Sequence, residues 1–77
     1  MSISSYLFIK AAPGTLDRVL GEVKVFPYIE TANIVTGIHD IVAIVKTDTL
    51  ILLQEEVVEK IYKLSDVHSV GLSIIIP

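Results

Sequence analysis

An α+β domain, with two helices laid over one face of a four-stranded antiparallel sheet, is the fold class this sequence predicts. Three observations lead there. The apolar pattern switches between strand and helix periods in the order β-α-β-β-α-β. Each half of the chain repeats the pattern strand, helix, strand, which short right-handed crossovers can connect. At 77 residues, 52% of them hydrophobic and none of them Cys, the chain makes one small domain held by packing rather than by disulfides.

Taken in order, Ser4–Ala11 is the first strand, with Tyr6 and Phe8 on one face and Leu7 and Ile9 on the other. Ala12-Pro13-Gly14 breaks it, and Thr15 is placed to cap a helix. Leu16, Val19, Leu20, Val23 and Phe26 then form one helical stripe, with Asp17, Arg18, Glu22 and Lys24 opposite. Gly21 costs this helix about 1 kcal/mol relative to Ala, so the helix depends on tertiary packing. Pro27 ends it, because the residue before a proline is pushed out of the helical region.

Tyr28–Thr36 is the second strand and Asp40–Lys46 the third, the latter with Ile41, Ala43 and Val45 on one face and Val42 and Ile44 on the other. Between them, Val35-Thr36-Gly37-Ile38-His39-Asp40-Ile41 is a hairpin turn, in which Gly37 supplies the positive φ. Asp48 or Thr49 caps a second helix, Leu50–Leu64, whose inner stripe is Leu50, Leu53, Val57, Ile61 and Leu64. Glu56 with Lys60 and Glu59 with Lys63 add i,i+4 support of a few tenths of a kcal/mol each. Ser65-Asp66 leads out to the last strand, Val67–Ile76, which Pro77 stops.

These elements make a ferredoxin-like plait (βαββαβ) with strands in the order 4-1-3-2. The helices cover one sheet face. The other is also predicted to be apolar, and mean hydropathy is high at +0.70. A lone plait would expose polar residues there. The expected cover is the same face of a second copy, giving a dimeric sandwich of two sheets.

Net charge is −3, from six Lys and Arg against nine Asp and Glu, and no basic cluster is present, which disfavours direct nucleic-acid binding. No apolar run approaches the roughly 18 to 20 residues a membrane helix needs, and the N-terminus has no signal-peptide pattern, so a cytoplasmic location is expected. His39 and His68 are far apart and lack the i,i+4 partner of a metal pair. Glu55, Glu56 and Glu59 suit a solvated helix face. No nucleophile elbow, phosphate loop or catalytic constellation is found, so neither a cofactor nor an enzyme is expected. Asp40 has two readings. It can brace the turn through backbone N–H groups. It can also, with the turn's backbone donors, hold the ammonium and carboxylate of a small zwitterion.

The turn Val35-Thr36-Gly37-Ile38-His39-Asp40-Ile41 resembles the Val-Thr-Gly-x-x-Asp signature of the RAM domain, the effector-binding C-terminal domain of Lrp/AsnC transcription regulators. Ile9-Lys10 with Pro13-Gly14 resembles the first strand and turn of that family, and Val67-His68-Ser69 leading to Ile74-Ile75-Ile76 its last strand. The likeness spans residues 5 to 76. It implies sheet-to-sheet dimers assembling into rings, with amino-acid effectors bound between dimers near Thr36, Gly37, Ile38, His39 and Asp40, helped by His68 and Ser69. Leu72 and Val70 are apolar where the family's last strand can be polar, and His39 stands where an aromatic residue is common.

On that resemblance, residues 1–77 are expected to form a single RAM-like domain without a helix-turn-helix. The implied function is an amino-acid sensing and oligomerisation module related to transcription regulation. The alternatives are a ligand-free module assembling with full-length regulators and, further off, a small dimeric plait enzyme.

Overall fold

The computed structural model describes residues 2–37 and 40–77. Strand β1 runs Ile3–Ala11, helix α1 Leu16–Lys24, strand β2 Ile29–Ile34 and strand β3 Ile41–Thr47. The second helix, α2, spans residues 50–62, and strand β4 runs Val67–Ile74. The sheet order is β2-β3-β1-β4 and every neighbouring pair is antiparallel, so the plait forms as expected.

One face of the sheet carries the core. Leu7, Ile9 and Ala11 of β1, Ile41, Ala43 and Val45 of β3, and Ala32 of β2 are buried against Val19 and Val23 of α1 and Leu53, Val57 and Ile61 of α2. Leu16, Leu20, Phe26 and Leu64 pack around them, as the helical stripes require. Leu50 departs from its expected place in the stripe and is 57% exposed. It lies in the first turn of α2, before the run of inward residues begins.

The helix α2 is not α-helical throughout. Leu50–Leu52 and Glu59–Tyr62 are α turns, but Leu53–Val58 between them is π-helical, with the Glu59 N–H donating to the Gln54 carbonyl. The inward residues Leu53, Val57 and Ile61 are spaced by four each time. A pure α-helix would swing such a series steadily round its axis, and a wider turn holds it over the sheet. Thr49 caps α2, its side-chain oxygen accepting from the Leu52 N–H at 3.1 Å. Thr15, expected to cap α1, does not. Its hydroxyl donates to the Ala12 carbonyl at 2.7 Å and braces the Pro13-Gly14 turn instead.

The expected apolar bare face needs correction. Cross-strand partners share a face, so Tyr6, Phe8, Val42 and Ile44 lie together on the bare side of the two central strands. The flanking strands present Thr31 and Asn33 on β2 and Ser69, Gly71 and Ser73 on β4. The face is thus an apolar centre with a polar margin, and the Tyr6 and Phe8 rings stack with centroids 6.3 Å apart.

Ion pairs also sit on the surface. Arg18 bridges Glu22 and Asp66, tying α1 to the turn before β4, where Asp66 has φ +72°. Lys60 pairs with Glu56, whereas no side-chain pair between Glu59 and Lys63 occurs among the described residues. No helix among the described residues is long and apolar enough to cross a membrane.

Candidate functional site

The turn between β2 and β3 lies where β1 ends. Val35 donates its N–H to the Asp40 carbonyl at 2.9 Å, which closes the hairpin, and Asp40 donates its own N–H to the Ile9 carbonyl at 3.1 Å. Gly37 has φ +115°, a conformation that an L side chain resists. Ile38 and His39, both expected in the site, lie outside the described residues.

The Asp40 side chain is half committed. Its Oδ2 accepts from the Ala11 N–H at 2.9 Å, a partly buried contact between residues 29 apart in sequence. Ala11 turns its N–H towards β3 at a point where β3 has already ended. The carboxylate stands in for the next carbonyl of the ladder. The bracing role expected for Asp40 is therefore present, but its donor comes from β1 rather than from the turn itself. Oδ1 has no hydrogen bond among the described residues.

The same end of the sheet holds the start of β4. Ala11 pairs with Val67 and Lys10 with Ser69, so His68 is an extra residue bulged out of the ladder. His68 and Ser69 are both exposed. Asp40, on the β3 side of β1, and Ser69, on its β4 side, stand about two strand spacings apart, on the order of 10 Å. The structure thus gathers Thr36, Gly37, Asp40, His68 and Ser69 at one end of the sheet, on strands that flank β1.

Chemically, this end offers a carboxylate oxygen, a histidine, a serine hydroxyl and an exposed glycine turn. Such groups bind and orient. Among the described residues no three His, Asp or Glu side chains converge as a metal site. Two clefts elsewhere on the chain contain none of these residues. One, of about 400 Å³, is lined by Lys24 and residues 29–33, and the other, of about 320 Å³, by Gln54, Val58, Glu59, Tyr62 and Lys63.

No protein-family model matches the chain. An uncharacterized HTH-type transcriptional regulator of Pyrococcus horikoshii is 32% identical over 73 residues, covering 95% of this chain and 46% of that protein. The chain therefore spans about half the length of the curated relative it matches. Among solved structures, FFRP-DM1 superposes with a TM-score of 0.89 at 27% identity, over 96% of this chain and 99% of that one. E. coli AsnC matches with a TM-score of 0.89 at 17% identity, over 97% of this chain and 51% of AsnC. A transcriptional regulator of Neisseria meningitidis, solved as an L-Met complex, matches with a TM-score of 0.85 at 10% identity, over 97% of this chain and 50% of that one. At these identities the last two establish the fold alone.

Proposed function

We propose, on the premise that this chain is a relative of the Lrp/AsnC-type transcription regulators and has the fold found in half of AsnC, that it is an amino-acid effector-binding and oligomerisation module. The observation that carries the reading is the Gly37–Asp40 turn. Gly37 and Asp40 lie at the end of the sheet where β4 begins with His68 and Ser69, and among the described residues one Asp40 oxygen has no hydrogen bond beyond the one to Ala11.

In this reading the second Asp40 oxygen takes the ammonium of the ligand. Backbone donors of the turn and the side chains of His68 and Ser69 serve its carboxylate. In this reading a second subunit forms the far wall. The regulator of the same fold solved with L-Met supports an amino acid as the ligand class. The apolar centre of the bare face, Tyr6, Phe8, Val42 and Ile44, supplies a homodimer contact, and its polar margin suits the rim of such an interface.

Thermal melts against a panel of amino acids test the reading. A ligand at ~100 times its Kd should add ~2.7 kcal/mol of stability. Asp40→Asn keeps an oxygen for the Ala11 N–H but removes the charge, and should abolish the shift. No stabilisation of the wild-type oligomer by any amino acid would overturn the sensing role and leave an assembly module.

A further inference from the structure

The two halves of the candidate site hang on one dipeptide at the end of β1. Ala11 donates its N–H to Asp40 Oδ2 at 2.9 Å, and Ala12 donates its own to the Asp66 carbonyl at 2.9 Å. Successive amides along a strand point to opposite sides, so one reaches the turn before β3 and the other the turn before β4. Ala12 is fixed in its turn by Thr15, whose N–H and hydroxyl both donate to the Ala12 carbonyl, at 3.2 and 2.7 Å. His68 and Ser69 follow closely after Asp66 in the chain.

Asp66 has φ +72°, in the left-handed region where glycine is at ease and aspartate is only tolerated. Among the described residues it is the only non-glycine with a positive φ. A glycine would serve the backbone better, so what aspartate adds is its carboxylate. Arg18 Nη2 donates to that carboxylate, and the same nitrogen donates to the Ser65 carbonyl at 3.3 Å. Nη1 of the same guanidinium is held by Glu22 at 2.8 Å. The planar fork thus fixes the side chain and the backbone of this turn together against α1, which the single ammonium of a lysine does not do.

We propose that Arg18 is a positioning residue for His68 and Ser69, a role that rests on the amino-acid binding proposed for this end of the sheet. Its fork holds Asp66 in the left-handed conformation, and the peptide leaving Asp66 sets where the His68 bulge begins. With the fork gone, Asp66 relaxes towards negative φ and redirects the chain just before His68 and Ser69. Their separation from Asp40 then changes, while the bond from Ala11 to Asp40 stays. Helix α1, which supplies no group to the ligand, thereby becomes part of the geometry of the site.

Nuclear magnetic resonance spectra of the ligand-free 77-residue chain test this. In Arg18→Gln the amide resonances of Val67, His68 and Ser69 should shift, those of Gly37 and Asp40 should stay, and the melting temperature should change little, as for an exposed pair. Arg18→Lys keeps the charge without the fork and should shift the same resonances by less. Asp66→Asn keeps the left-handed tolerance without the charge, should move the same set, and decides the question if Arg18→Gln does not fold. His68 and Ser69 resonances that stay in place overturn the proposal, as does a shift spread evenly over the core.

Titration with an amino acid that stabilises the wild type gives a second arm. Arg18→Gln should weaken its binding about two- to fivefold. That loss should vanish in a His68→Ala background, because a positioning residue acts only through the groups it positions. An equal loss in both backgrounds overturns the positioning role. If the wild type binds no amino acid, it is the sensing role that fails, and the ligand-free spectra still decide whether Arg18 orders His68 and Ser69.

Discussion

The Asp40 carboxylate accepts a hydrogen bond from the Ala11 N–H at 2.9 Å and so extends the β1–β3 ladder past the end of β3. Ala11 is 6% exposed, and its N–H has no easy route to solvent. Asp40→Ala should therefore destabilise the chain by about 1–3 kcal/mol before any ligand is added. Asp40→Asn should cost less. Urea unfolding of the two variants separates this bracing role from binding. Equal stability of Asp40→Ala and wild type would remove the bond's structural importance.

Ser5 and Thr47 are buried polar residues of the helix face, 0% and 2% exposed, and neither hydroxyl has a hydrogen-bond partner among the described residues. They sit on adjacent strands, at the end of the sheet opposite the turn. Thr47→Val keeps the shape and removes the buried hydroxyl, so it should raise stability by about 1 kcal/mol. A higher urea midpoint with an unchanged slope is the expected result, and a fall of similar size would show that the hydroxyl is satisfied.

Asp66 combines φ +72° with its ion pair to Arg18. The two contributions oppose each other on substitution. Asp66→Gly relieves the backbone but loses the pair. Asp66→Ala loses the pair and keeps the strain, at about 1–2 kcal/mol for a residue held in this region. Both partners are nearly half exposed, so the pair itself is worth about 0–1 kcal/mol. Asp66→Gly should therefore be more stable than Asp66→Ala in thermal melts, and the reverse order would place the ion pair above the backbone.

Lys60 has its pKa raised above the ordinary 10.5 by its hydrogen bond to Glu56 and by the charge of that carboxylate. A group whose pKa is higher folded than unfolded favours the folded state when protonated. Its contribution is thus complete below 10.5 and fades as pH rises through the higher folded value. Comparison of wild type with Glu56→Gln across that range should show a difference that shrinks above 10.5. A difference independent of pH would mean that Glu56 acts through helix propensity and not through Lys60.

Gly71 lies opposite Phe8 on the bare face, and a Cβ there would meet the Phe8 Cβ at an ordinary 3.8 Å. Gly71→Ala should be accommodated and stabilise the strand by about 0.5–1 kcal/mol. A loss of oligomer mass in this variant would mean that a partner approaches the sheet closely at Gly71.

Much of the fold was legible because the period of the apolar residues changes cleanly at Pro13-Gly14, at Pro27 and at Thr47-Asp48. The helix stripes named Val19, Val23, Leu53, Val57 and Ile61 directly. Strand sidedness was harder, since β1 and β3 are apolar on both faces and only register shows that Tyr6, Phe8, Val42 and Ile44 form the bare side. The polar margin was written in Thr31, Asn33, Ser69 and Ser73, but their common face emerges only when the strands are paired. The site turn was legible through Gly37 and Asp40. The donor to Asp40 was not, because Ala11 is 29 residues away and a backbone N–H leaves no mark in the sequence. The π turn left no such mark, because the stripe Leu50, Leu53, Val57, Ile61 and Leu64 has the spacing of an ordinary α-helix.

That wide turn also means α2 holds one residue more than its length requires. Deleting an outward residue such as Glu55 would convert Leu53–Val58 to α pitch and leave both flanks as they are, with the inward positions now a step of three followed by a step of four. Elsewhere in the helix the same deletion would rotate everything downstream by about 100° and carry Ile61 out of the core. The middle of α2 is therefore the place where descendants of this gene could shorten the helix by a codon and keep the fold.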